Sequence, residues 1–360
     1  MLPADTFRPG PTSRQFIESS NDRQPPFKNK QPVQGFSALI KAEQGSYLVL
    51  SDNGFGHRNN SSDYLLSIYH IQPDFRTASG GSGRIRVGEI IHLRDPHFHL
   101  PYPVARQTDR LLTGADLDPE SFRRATDGSY WLGEELNPSL VHFSAKGIML
   151  APPFKLAGLS SVDNPSAALA SLPRSRGFEG MAISADGNWL YPMLEGALVG
   201  MGPGLNIYTF DIETQRYVNT HASWPSYRYR LDEGTAAIGD FTLYSQTAGL
   251  VIERDSLEGQ DARIKKIYKV DFEQLDADGF MQKTLVADLL DINDPHDLNQ
   301  DGDERFVFPF WTIEGLVVIN RTMLGIVNDN NYPFSQARDS SGRQPDNNEF
   351  ILIEIDPLWD

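Results

Sequence analysis

Cysteine is absent from this chain of 360 residues, so no disulfide can staple it and thiols give no hint of its redox compartment. No apolar run approaches the length that crosses a bilayer, which argues against a membrane span. Basic charge is scarce: 32 Lys and Arg stand against 48 Asp and Glu, a formal net charge of −16. A field of that sign repels nucleic acid and anionic membranes, so neither is an expected partner, whereas divalent cations suit it. Long amphipathic helical patterns are also scarce, and only short segments such as Asn164 to Leu172 read as helix. A Gly-x-Ser-x-Gly elbow, a Walker A loop and a Rossmann fingerprint are all missing. The start, "MLPADTFRPG", has neither the basic residues nor the apolar core of a signal peptide.

What is abundant is glycine (30) and proline (24), the punctuation of a turn-rich β protein. The stretch "GFEGMAISADGNWLYPMLEG" (Gly177 to Gly196) reads as a hairpin. Two apolar runs flank Asp186-Gly187, whose glycine accepts the positive φ of a tight turn. Similar hairpins recur at Gly35 to Gly54, Gly114 to Glu135, Asp240 to Asp255 and Ile313 to Asn331. An alternating strand follows each: Asp63 to Asp74, Pro138 to Gly147, Leu205 to Thr214, Lys265 to Gln274 and Asn348 to Leu358. After the first four comes another strand, around Ile85 to Leu93, Ile148 to Leu156, Tyr217 to Ala222 and Thr284 to Leu290.

Serial four-stranded antiparallel units predict an all-β fold, a β-propeller of five blades by repeat count, with six possible and a β-sandwich as the competing arrangement. Residues 35–360 form the single propeller domain in this reading, and residues 1–34 an arm. The fifth unit lacks its last strand, so the arm is expected to close the ring by pairing near Arg14 to Ser19 with Phe350 to Ile355. Pro32 and Pro25-Pro26 would lead into the first blade. Gly35, Gly114, Gly180 and Gly315 would lie where the channel leaves no room for side chains.

Hairpin geometry then gathers acids. The start of a first strand lies beside the end of its partner. Asp52, Glu134, Glu179, Glu195, Glu253, Glu314 and Asp329 should ring one mouth of the channel. Such a ring repels itself unless a cation joins it, and Ca2+ takes six to eight oxygen ligands of this kind. A second calcium candidate is the loop "DLNQDGDERFVF". Asp297, Asn299, Asp301 and Asp303 occupy positions 1, 3, 5 and 7 of an EF-hand-type loop, but Phe308 replaces the closing glutamate. An acidic solvated turn is the plainer reading. His97 and His99, with His92 nearby, read as an interblade loop bounded by prolines, not as a transition-metal site.

The segments "GFSALI…YLVLSDNG", "YWLGEELNPSLVHFSAKG", "GFEGMAISADGNWLYPMLEG", "LVIERD" and "IEGLVVI…GIVNDNNY" span Gly35 to Tyr332. In this order they resemble the phytase-like family with esterase-like activity. The resemblance implies a propeller, of a family often secreted, that hydrolyses phosphoesters with calcium as the suggested ion. The expectation is a calcium-dependent phosphoester hydrolase, monomeric, extracellular or periplasmic, acting on a small-molecule substrate. Glu179 and Glu314 are the candidate catalytic carboxylates. Asp52, Glu134, Glu195, Glu253 and Asp329 would hold the metal. Arg58 and Arg254, and more weakly Arg176, are candidates for the substrate anion, since guanidinium forks match phosphate oxygens; neutralising nearby acids is the alternative. Two other readings stand beside this one: a non-catalytic ligand- or protein-binding propeller pinned by structural calcium, and a lactonase or carboxylic esterase.

Overall fold

In the computed structural model, the described residues are 1–17, 23–162, 170–339 and 341–359. Five antiparallel sheets stand around an axis. Blade 1 comprises Phe36–Lys41, Tyr47–Ser51, Ser67–Asp74 and Arg84–His92. Blade 2 comprises Pro119–Arg124, Tyr130–Glu134, Ser139–Phe143 and Phe154–Lys155. In blade 3, Phe178–Ile183 and Trp189–Leu194 are followed by a third strand broken into Leu205–Ile207 and Phe210–Asp211. Its fourth strand is broken likewise, into Arg216–Tyr217 and Tyr227–Tyr229. Blade 4 is Ala237–Leu243, Ala248–Arg254, Lys265–Leu275 and Met281–Asp288. Blade 5 has three strands, Thr312–Asn320, Met323–Asp329 and Phe350–Glu354. The expected five-bladed propeller is therefore present. No α-helix occurs among the described residues, and most of the proposed helix at Asn164 to Leu172 lies outside them.

The innermost strands pack in ring order, the fifth against the first. Their alternation sends apolar side chains into cores between neighbouring blades. Leu50, Ile68, Phe122 and Leu132 fill the space between blades 1 and 2. Trp131, Leu140, Met181 and Phe210 fill the next. Corresponding clusters join blades 3 and 4, 4 and 5, and 5 and 1. Each buried Leu or Phe contributes about 1.5–3 kcal/mol, so the wedges between blades hold the ring together.

The axis is too crowded for side chains at two of the expected glycines. A Cβ on Gly180 would lie 2.9 Å from Cβ of Phe241 in blade 4, and one on Gly315 would lie 2.9 Å from Cβ of Leu39 in blade 1. Gly114 does not belong to this group. It sits in the loop before the second inner strand, against the Asn53 carbonyl.

Ring closure differs from the expected pairing. Phe7–Pro9 pairs with Lys30–Pro32, so the arm forms a hairpin of its own. The Asp63 carboxylate accepts the backbone N–H groups of Arg14 (3.0 Å) and Gln15 (2.8 Å), fastening that stretch to a blade 1 loop. Within Arg14 to Ser19, the described part thus stays away from Phe350–Glu354, which pairs with Met323–Asp329. Residues 18 and 19 lie outside the described residues. The chain start takes the closing role instead. Leu2 exchanges two backbone hydrogen bonds with Asn348 (2.7 and 3.1 Å), and the Met1 carbonyl accepts Ile85 N–H from blade 1 at 3.0 Å.

Candidate metal centre

Each inner strand is interrupted at the same place. The ladder skips Ser37 in blade 1, Glu120 in blade 2, Glu179 in blade 3, Gly239 and Asp240 in blade 4, and Glu314 in blade 5. A bulge of this kind re-aims its extra residue. Three of the five blades place glutamate there.

The partner strand supplies a second set of positions. Opposite the residue just before each bulge, Phe36, Pro119, Phe178, Ile238 or Ile313, stands Ser51, Glu134, Leu194, Glu253 or Asn328 respectively. The residue one further on is Asp52, Glu135, Glu195, Arg254 or Asp329. Because side chains alternate, these residues point opposite to Ser51, Glu134, Leu194, Glu253 and Asn328, and form with the bulge residues the two series that matter. Gly35 makes room for Asp52 in blade 1: at φ +68°, a Cβ there would fall 1.9 Å from Asp52 Oδ1.

The two series converge. Oxygens of Asp118, Glu120 and Glu135 lie within 4.8 Å of one another, as do those of Glu135, Glu179 and Glu195. Burial leaves these five residues and Glu314 and Asp329 between 2 % and 9 % exposed, with Asp52 half-buried. Arg254 lies among them, its Nη2 3.1 Å from Glu195, 3.4 Å from Glu314 and 3.5 Å from Glu179. Arg176 Nη1 lies 2.6 Å from the other Glu195 oxygen.

These positions redistribute the sequence candidates. Asp52, Glu179, Glu195, Glu314 and Asp329 belong to the cluster. Glu134 and Glu253 sit one residue off register and do not. The Glu134 carboxylate accepts backbone N–H groups of Asn137 (2.6 Å), Leu136 (3.2 Å) and Asp118 (3.3 Å). Glu253 accepts from Tyr229, Lys283, Thr235 and the Asp232 backbone, among the outer strands and loops of blades 3 and 4. Asp118, Glu120 and Glu135 are additional members. Arg254 is enclosed by carboxylates rather than presented to solvent. Arg58 stays at the rim, its Nε donating to the Ala115 carbonyl at 2.9 Å. Asp297, Asn299, Asp301 and Asp303 lie apart in an exposed loop whose oxygens largely accept the loop's own N–H groups. No metal-compatible group of three among the described residues includes them, His97 or His99.

Electrostatics of the cluster are unfavourable without a cation. Two like charges 4 Å apart repel by roughly 4 kcal/mol at an effective dielectric of 20. Burial, then neighbouring carboxylates, lifts Asp52, Glu120, Glu135, Glu179 and Glu314 well above the ordinary carboxylate range. Burial pushes Asp329 up to about 6 and Glu134 up to about 7. For Arg254, burial acts downward, but Glu195, Glu314 and Glu179 outweigh it and raise its pKa.

The donor set fits a hard divalent cation. It offers carboxylate oxygen without imidazole, and the chain has no thiol. Glu179 Oε1 is buried and accepts no hydrogen bond. No hydrogen bond to the Glu120 or Glu135 carboxylate occurs among the described residues. Buried polar atoms are ordinarily hydrogen-bonded, so Glu179 Oε1, whose nearest cation is Arg254 at 3.5 Å, retains lone pairs for a ligand.

A pH prediction follows from the sign of the shifts. An acid whose folded pKa is raised binds its proton more tightly in the folded state, so stability falls as pH rises through the raised value. Metal-free protein should therefore melt higher at pH 5.5 than at 7.5. His92, pushed down to about 4 by burial, and His142, also lowered by burial, oppose this, but two imidazoles stand against a larger number of raised carboxylates. Saturating calcium holds the acids ionised and should flatten or reverse the trend. Melting curves at both pH values, with and without calcium, check this; metal-free protein melting higher at pH 7.5 would contradict it.

The fold and site together define a five-bladed propeller with a buried, oxygen-only acidic centre at one mouth. The profile of the phytase-like family, described as esterase-like activity of phytase, matches residues 31–332, and the chain belongs to that family. No curated protein matches. Among solved structures, the native arabinanase of Bacillus subtilis is 12 % identical, with a TM-score of 0.45 over 89 % of this chain and 94 % of its own. An exo-β-1,3-galactanase of Clostridium thermocellum is 8 % identical, with a TM-score of 0.48 over 98 % of this chain and 63 % of its own. A luciferin-regenerating enzyme is 12 % identical, with a TM-score of 0.42 over 91 % and 93 %. Similarity at that level says nothing of this chain's chemistry.

Proposed function

We propose that the chain is a calcium-dependent hydrolase of small phosphoric esters, working at the acidic mouth. The observation that carries this reading is the convergence of buried carboxylates, among them a Glu179 oxygen that accepts no hydrogen bond and has only the Arg254 guanidinium, 3.5 Å away, as an ion-pair partner. Membership of a family named for phytase and esterase-like activity supports it.

Asp118, Glu120, Glu135, Glu179 and Glu195 would hold the cation. When bound, it supplies Lewis-acid stabilisation of charge on a phosphoryl oxygen. Glu314, lifted by burial, is suited to accept a proton from the attacking water. Arg254 is a positioning residue that keeps Glu179, Glu195 and Glu314 together. Arg58 and Arg176, nearer solvent, are suited to the substrate anion and offset the repulsion that a chain of net charge −16 exerts on it. Work as a monomer outside the cytoplasm completes the proposal; calcium modules of extracellular proteins bind at about 10⁻⁴–10⁻³ M.

The depth of the acids favours one other reading, a ligand-binding propeller that uses calcium as a structural pin. Hydrolysis assays separate the two. Phosphomonoesters, phosphodiesters, carboxylic esters and lactones are supplied with calcium or with chelator. Calcium-dependent turnover of a phosphoester is expected. Turnover of carboxylic esters or lactones alone would move the substrate class, and no turnover of any would leave the pin. Calcium at about 100 times its dissociation constant should also add about 2.7 kcal/mol of stability. Identical melting curves in chelator and in millimolar calcium would contradict a bound ion.

A further inference from the structure

Resting on the proposed hydrolysis at the acidic mouth, we infer that a groove beside the mouth receives the alcohol part of the ester, and that this part is a flat, uncharged aromatic ring. The groove has a volume of about 420 Å³, and its lining includes Phe98, Pro101, Tyr102, Pro103, Gln107 and Arg110. These residues lie in the loop that joins the last strand of blade 1, ending at His92, to the first strand of blade 2, beginning at Pro119. Asp95, fully buried, fixes that loop. Its carboxylate accepts the N–H groups of His99 (2.8 Å) and Leu100 (3.0 Å) and pairs with Arg110 Nη2 at 2.6 Å. Arg110 Cζ in turn lies over the Phe98 ring, 4.1 Å from its centre. Both partners of this stack have left-handed backbone, with φ +60° at Phe98 and +54° at Arg110. Bulky residues rarely adopt it, and such strain gathers at ligand clamps. The neighbours Leu100 and Val104 turn into the core between blades 1 and 2, whereas Phe98 is held outside it, 71 % exposed.

Tyr102 links the groove to the mouth. Its hydroxyl donates to the Asp116 carbonyl at 2.8 Å, and Arg58 Nε donates to the preceding carbonyl, that of Ala115, at 2.9 Å. The Asp116 carboxylate holds this backbone in place by accepting the N–H groups of Ala105 and Thr113, each at 2.8 Å. Asp118 of the acidic cluster stands two residues further on. An ester whose phosphoryl group lies at the mouth beside Arg58 therefore extends its alcohol part along Tyr102 toward Phe98. The lining selects that part. Aromatic rings stack on flat apolar guests. Arg110 is already neutralised by Asp95, so a charged guest would lose its hydration there without gaining a free partner. The exposed Gln107 offers an amide to a ring substituent.

Two measurements on the full-length chain test this. Saturation-transfer NMR with 2-naphthol reports ring binding without reference to activity. Steady-state hydrolysis of 2-naphthyl phosphate and glycerol 2-phosphate in millimolar calcium reports its place in the reaction. Phe98→Gly is the informative variant: glycine accepts positive φ, so the variant should melt no lower than the parent while lacking the ring. Saturation of naphthol by the parent is expected, and its loss in Phe98→Gly. The variant's preference for naphthyl over glycerol phosphate, as the ratio of kcat/KM values, should fall by roughly tenfold. No naphthol saturation in the parent would overturn the inference whatever the variant does. Saturation that Phe98→Gly leaves intact, or an unchanged preference, would overturn it too, and both results leave phosphoester hydrolysis standing. Naphthol bound through Phe98 with neither phosphate turned over would overturn the hydrolytic role and leave a ring-binding groove.

Discussion

Arg123→Met should lower the stability of the folded ring by about 3–5 kcal/mol, the cost of breaking a buried ion pair from one side. Arg123 lies on the inner strand of blade 2 and reaches Asp240 of blade 4, with Nη2 3.0 Å from Oδ1 and 2.7 Å from the Phe241 carbonyl. The other Asp240 oxygen accepts the Leu316 N–H of blade 5 at 3.0 Å. Both side chains are buried. The pair thus ties three blades across the axis. Losing the guanidinium leaves Asp240 charged and buried, with backbone N–H groups as its remaining partners. Arg123→Met with Asp240→Asn should recover much of the loss, because no uncompensated charge remains. Urea denaturation of the three proteins measures this. A single-variant loss below about 1 kcal/mol would show the pair to be an ordinary surface-like bridge.

Glu135→Gln should weaken calcium binding on the order of a hundredfold, because that carboxylate belongs to both converging sets. Glu134→Gln, its neighbour in sequence, should leave affinity within about threefold. Its carboxylate is spent on three backbone N–H groups, so the change should instead cost about 1 kcal/mol of stability. Calcium titration of the two variants provides the comparison. Equal losses of affinity would mean that the cation is bound on the other face of the strand.

That contrast also shows where the sequence stops being readable. Hairpin spacing, Asp-Gly turns and alternating strands were sufficient to give five blades, because a two-residue period and turn chemistry are local properties. That acids of neighbouring hairpins approach one another, as Glu179 and Glu195 do, was legible for the same reason. Register was not. In the doublets Glu134-Glu135 and Glu253-Arg254, neighbouring residues point to opposite faces, and the inner-strand bulge decides which face meets the axis. The Glu-Gly pairs of blades 3 and 5 marked their bulges, whereas Pro119-Glu120-Ser121 carried no such mark. Arg254 illustrates a further limit. Next to acids in sequence, an arginine is equally suited to a phosphate or to its neighbours, and only the distances to Glu179, Glu195 and Glu314 assign it to the latter. Closure by Leu2 was hidden because a single bridge leaves no strand-length pattern.

Anomalous scattering from crystals of the full chain grown with calcium tests the central claim most directly. Binding at the mouth predicts a calcium peak with carboxylate oxygens of Glu135 at about 2.3–2.6 Å, the usual calcium–oxygen distance, and with Asp118, Glu120, Glu179 or Glu195 completing the shell. A map in which the mouth is empty at millimolar calcium, whether or not the loop at Asp297 to Asp303 is filled, would contradict it.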